Sequence, residues 1–90
     1  MKKLVKVEEV QGEGLMALLG EVVTLYCQVY IYTGKLVGVN DEFILIENPA
    51  IVYDTGAYTN NQYSDAQRLP SKVYIMKHAI EMFGVIKTEY

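Results

Sequence analysis

Few side chains in this sequence are of the types that do chemistry. There is one cysteine, Cys27, and one histidine, His78, among eight Lys or Arg and eleven Asp or Glu residues. A single cysteine excludes an internal disulfide, and Cys27 lies in an apolar stretch where a free thiol packs as a small hydrophobe. Glu8-Glu9 and Asp41-Glu42 are paired carboxylates. Neighbouring residues on an extended chain point to opposite faces, which makes such pairs poor acid/base partners. No Ser-His-Asp or Cys-His set, glycine-rich phosphate loop or Cys/His metal cluster is present. The expectation is a non-enzyme without a cofactor. What remains is a set suited to binding: Lys77 beside His78, and Phe43 directly after Asp41-Glu42. An aromatic face stacks on a nucleobase, an ammonium meets phosphate or a base carbonyl, and an imidazole donates a hydrogen bond. Each also has a plainer role. Phe43 sits in an apolar run and fits a core, a lone histidine at a bend satisfies a backbone group, and a lysine on a strand edge guards against unwanted pairing.

Charge and composition limit the partners. Net charge is −3 with only eight cationic side chains, three of them (Lys2, Lys3, Lys6) near the N-terminus. A broad phosphate-binding face is excluded, so any nucleic-acid site must be local and repeated around an oligomer. The chain has 90 residues, of which 51% are hydrophobic. A domain this small buries a modest share of its surface, and the surplus apolar area points to self-association. No charged leader precedes a long apolar core and no apolar run reaches membrane-spanning length. The expected compartment is the cytoplasm.

The elements that must position these residues are mainly β. Residues 1–12 read as an arm and residues 13–90 as one domain. Leu15, Leu18 and Leu19 share one helical face and Gly20 is a natural C-cap, giving a helix of a couple of turns. From Glu21 the period becomes two. Val23, Leu25, Cys27, Val29 and Ile31 fall on one face; Thr24, Tyr26, Gln28, Tyr30 and Tyr32 fall on the other. This is one long strand or two strands joined by a tight turn. Gly34 and Gly38 allow sharp bends, and Asn40-Asp41 signals a turn. Strand-like residues resume at 43–46, 51–53, 73–76 and 79–86, with a polar loop at 54–71. The expected architecture is a short helix followed by a strongly bent five-stranded open barrel of the SH3-like type. Its open edges would pair head-to-tail with neighbouring copies and close into a ring.

Two segments carry a family resemblance. Residues 32–45, reading Tyr-Thr-Gly-Lys-Leu-Val-Gly-Val-Asn-Asp-Glu-Phe-Ile-Leu, resemble the first Sm motif: glycine, any residue, leucine, any residue, glycine, hydrophobe, then aspartate before a hydrophobic strand. Met76-Lys77-His78-Ala79-Ile80 resembles the Tyr-Lys-His-Ala-Ile segment at the bend between the last two strands of Hfq-type proteins. With the helix ending at Gly20, the resemblance to the Sm-like family covers most of residues 13–86, apart from the long loop. It implies a homo-oligomeric ring of five to seven subunits that binds short single-stranded RNA at a central pore, as an RNA chaperone does. The implied RNA-binding residues are Asp41, Glu42, Phe43, Lys77 and His78. The chain departs from the pattern twice. Glu42 stands where Hfq-type proteins have glutamine, and Ile44 stands where archaeal and eukaryotic Sm proteins have a base-reading asparagine. These changes favour the alternative, a structural or protein-interaction ring with little RNA affinity. Tyr26, Tyr30 and Tyr32 then read as a subunit interface, since tyrosine joins an apolar body to a polar tip.

Overall fold

β-branched and aromatic residues dominate positions 22–54, and there they form the three longest strands: β1 (Val22–Cys27), β2 (Ile31–Val39) and β3 (Phe43–Asp54). The computed structural model describes residues 14–88, so the arm expected at 1–12 lies outside the described residues. Three shorter strands follow, β4 (Asp65–Arg68), β5 (Val73–Met76) and β6 (Ile80–Gly84), with a 3-10 turn at Lys77–Ala79 between the last two. All six join one antiparallel sheet in the order β4-β3-β2-β1-β6, with β5 also on β3. The fold is mainly β, as expected. It has six strands instead of five, because β4 forms inside the segment read as a loop.

The length of β3 accounts for this arrangement. Its first part, Phe43–Ile46, pairs with β5, and its second part, Ala50–Asp54, pairs with β4. Asn48, with φ 51°, stands between the two parts. A left-handed residue inside an extended strand turns the chain, and asparagine tolerates that conformation. The barrel is not closed: β4, β5 and β6 each have one strand partner among the described residues.

Val23, Leu25, Leu36, Ile44, Ile46 and Ile75 form the core. Burying each such aliphatic side chain contributes about 1.5–3 kcal/mol. Gly34 is required where β2 crosses β3. A Cβ there would collide with the Ile46 side chain and stand 3.0 Å from the Glu47 carbonyl oxygen, at φ +155°. The helix α1 (Gly14–Ala17) is one turn, shorter than expected. Leu15 and Leu18 pack against the core. Gly20, at φ 90°, ends this turn in the left-handed conformation. Its N–H donates to the Leu36 carbonyl at 2.7 Å, while the Leu36 N–H donates to Glu21 at 2.9 Å, so the turn is tied to β2.

The expected two-faced alternation holds within β1 and changes phase at its end. The Cys27 N–H donates to the Tyr30 carbonyl at 3.0 Å, closing a two-residue hairpin over Gln28-Val29. Leu25 then pairs with Tyr32, and Tyr26 with Ile31. Cross-strand partners share a face, so odd residues of β1 lie beside even residues of β2. Tyr32 therefore packs against the core, Ile31 joins Tyr26 on the opposite face, and Val29 at the hairpin tip is 81% exposed. Tyr26 and Tyr32 do not share a surface. An uninterrupted strand would have kept them together.

The face opposite the core is itself covered. Thr24, Thr33, Ala50 and Val52 are buried there, in register across β1, β2 and β3. Residues 55–64 lie over them. The Tyr63 hydroxyl hydrogen-bonds Thr24, and the Tyr58 hydroxyl hydrogen-bonds Tyr26. Two side-chain turns shape this segment: the Gly56 N–H donates to the Asp54 carboxylate at 2.9 Å, and the Gln62 N–H donates to the Asn60 side chain at 3.0 Å.

Candidate functional site

The turn between β2 and β3 is set by Asn40. Its side-chain oxygen accepts the N–H groups of Glu42 at 2.8 Å and Phe43 at 2.9 Å, and its own N–H donates to the Phe43 carbonyl at 3.0 Å. Asparagine commonly makes such a turn with its own side chain. The reversal leaves Asp41 and Glu42 exposed and Phe43 half-buried at the start of β3.

Phe43 pairs with Met76, the last residue of β5. One residue further on, the Lys77 N–H donates to the Glu42 carbonyl at 2.8 Å. That bond fastens the β5–β6 bend to the β2–β3 turn. The structure therefore brings together all five residues expected at the site, Asp41, Glu42, Phe43, Lys77 and His78, although the two groups are separated by more than thirty positions in the chain. Lys77 is half-buried and His78 exposed. The link between the two groups is made by the main chain, and the side chains of Asp41, Glu42 and His78 are exposed at this end of the sheet.

Tyr74 belongs to the same surface, a residue that no sequence motif marks. Ile44 and Ile46 turn into the core, so Phe43 and Leu45 face outward, and the β5 register places Met76 and Tyr74 opposite them. The rings of Phe43 and Tyr74 meet edge to face, with centroids 5.1 Å apart and planes at 82°. Tyr74 is 66% exposed. Gly38 pairs with Leu45 and bears no side chain above it. The result is a shallow recess of about 170 Å³ lined by Gly38, Val39, Asn40, Phe43, Leu45 and Tyr74. The alternation in Val73-Tyr74-Ile75-Met76 is the signal that would have placed Tyr74 beside Phe43.

A second recess, of about 240 Å³, opens between the hairpin tip and β5, with Cys27, Tyr30, Tyr32 and Met76 in its wall. Burial pushes the Cys27 thiol above its ordinary value, and the nearby Glu81 carboxylate adds to the shift. This is the setting of an unreactive thiol.

Among the described residues, no three His, Cys, Asp or Glu side chains gather where they could hold a metal ion. No helix among them is long and apolar enough to cross a membrane. No family model matches the chain, and no curated protein matches it.

Proposed function

We propose that the chain is a subunit of an Sm-like ring that binds short single-stranded RNA around a central pore. The bond from the Lys77 N–H to the Glu42 carbonyl, which puts the Asp41-Glu42-Phe43 turn against Lys77-His78, is the observation that carries this reading. In this reading a base stacks at Phe43, with Tyr74 as the adjoining wall of the recess. Lys77 meets phosphate or a base carbonyl, and His78 donates from its ring. A neighbouring copy pairs the free edge of its β6 with the free edge of β5, and the contact repeats head-to-tail until the ring closes. Repetition gives weak pockets an avidity that one copy lacks.

A protein-interaction ring with little RNA affinity is the second reading. The exposed Glu42 carboxylate beside Lys77, which a ring would multiply around its pore, and the net charge of −3 favour it.

Light scattering and fluorescence anisotropy with short oligo-U and oligo-A at low salt separate the two. The RNA reading expects a mass several times 10.2 kDa and binding at micromolar ring concentration. Phe43→Ala should then weaken binding by about 5- to 150-fold, the equivalent of one lost stack of ~1–3 kcal/mol. Lys77→Ala should weaken it and make its loss with salt shallower, because one fewer phosphate contact releases fewer counterions. A ring that binds neither oligonucleotide leaves the second reading, and a particle with the mass of one chain refutes both.

A further inference from the structure

Lys87 is the largest fully buried side chain among the described residues, with 0% of its surface exposed. A buried ammonium is costly unless each of its three protons finds an acceptor. Here each does: Nζ donates to the carbonyl oxygens of Thr55, of Ala57 at 2.9 Å and of Gln62 at 2.8 Å. The rings of Tyr58 and Tyr63 flank it, with centroids 5.7 and 5.6 Å from Nζ. Both distances lie within the range at which a ring face attracts a cation. The next residue adds a reciprocal pair, with the Thr88 N–H donating to the Asn61 side-chain oxygen at 3.1 Å and the Asn61 amide donating to the Thr88 hydroxyl at 2.7 Å.

All the groups around Nζ are neutral, and all of them belong to residues 55–63. We propose that this segment is a binding site for a primary alkylammonium, that Lys87 fills it in cis, and that its occupancy holds the segment closed over the outer face of the sheet. Three carbonyls converging on one point suit a compact ammonium and not a planar guanidinium, whose donors fan out in a plane. The same segment carries Tyr63 and Tyr58, which reach Thr24 and Tyr26 on the sheet. With the ammonium in place, Thr24, Thr33, Ala50 and Val52 are covered. With the site empty, the segment lifts and that face is accessible, while the core between the other faces of β1, β2, β3 and β5 stays packed. This device uses none of the residues proposed to bind RNA.

Hydrogen exchange on Lys87→Met and Lys87→Arg tests the proposal, since methionine keeps the length of the side chain without its charge and arginine keeps the charge in the wrong shape. The amides of Gly56, Asn60 and Gln62 report on the segment, and those of β1, β2 and β3 on the barrel. The expected result is exchange at least about tenfold faster in the segment of both variants, with barrel protection unchanged. Wild-type protection of the segment in either variant overturns the proposal, and so does an equal loss from segment and barrel. Exchange of the wild-type chain in rising urea supplies a second measurement that needs no substitution. The segment should open through a transition less sensitive to urea than that of the barrel, and a common transition overturns the separable closure.

Discussion

Thr24 and Tyr63 offer a direct measure of how firmly residues 55–64 are seated. Thr24 is fully buried in β1, a strand with partners on both sides, and its hydroxyl is satisfied by Tyr63, itself 8% exposed. Tyr63→Phe removes one partner and leaves the threonine hydroxyl buried, a loss of about 1–3 kcal/mol. Thr24→Val keeps the shape of the side chain and removes the bond that ties the phenol to β1, at a similar or smaller cost because the tyrosine is nearer to solvent. In the double variant neither polar group remains, so the buried desolvation penalty of Tyr63→Phe disappears. The double variant should therefore be less destabilised than the two single variants combined, by about 1–2 kcal/mol. Urea unfolding followed by circular dichroism at one fixed protein concentration reads this out, the fixed concentration being needed because self-association raises apparent stability. A loss of 2 kcal/mol moves the urea midpoint by roughly 0.7–2 M. Additivity within about 0.3 kcal/mol, or a neutral Tyr63→Phe, would refute a segment closed on the sheet.

Two more outcomes follow from the same faces. Burial, then the bond and charge of Tyr58, push the Tyr26 phenol up from 10.0 to about 12, while the bond to Tyr26 holds Tyr58 below its ordinary value. Tyr58 thus ionises first. The folded chain keeps the Tyr26 proton where the unfolded chain has lost it, so the Tyr26 contribution is intact below pH 10.0 and is lost as pH rises toward about 12. Tyrosinate absorbance should show a late alkaline step that Tyr26→Phe abolishes and Tyr58→Phe moves down only part of the way, since burial remains; a step unchanged in Tyr26→Phe contradicts the assignment. Gly34→Ala should lower stability by more than about 2 kcal/mol in the same urea assay, because the added methyl meets Ile46 and the Glu47 carbonyl at a φ that disfavours alanine. A change below about 0.5 kcal/mol would show that β2 and β3 are not in this register.

The alternation from Val22 to Cys27 made β1 legible, because each inward aliphatic is followed by a residue of the other face. Phe43-Ile44-Leu45-Ile46 is legible as a short apolar run and Val73-Tyr74-Ile75-Met76 as strand-like residues. The meeting of Asp41, Glu42 and Phe43 with Lys77 and His78 was legible only through the resemblance, since no periodicity links two turns so far apart. The phase change at Gln28-Val29 was not legible. Neither residue is a turn former of the glycine or asparagine kind, and the apolar/polar rhythm runs on through it. Residues 54–71 look like a loop because Asp65-Ala66-Gln67-Arg68 has no strand-like composition. Its pairing comes from the vacant second half of β3. Lys87 gave no signal at all, because a lysine after Val85-Ile86 looks like any solvated charge, and its acceptors are main-chain carbonyls that a sequence does not display.

The position of Lys87 also sets an order of events during synthesis. Gln62, one of its acceptors, precedes it by 25 residues, and at ~5–20 residues per second a ribosome needs about 1–5 s to cover that interval. Throughout it the carbonyl cradle has no lysine to hold, and β4, β5 and β6 are made while the outer face of β1 to β3 is still bare. On the closure proposed above, a nascent chain keeps the face of Thr24, Thr33, Ala50 and Val52 open to other chains and to chaperones until the lysine has been added.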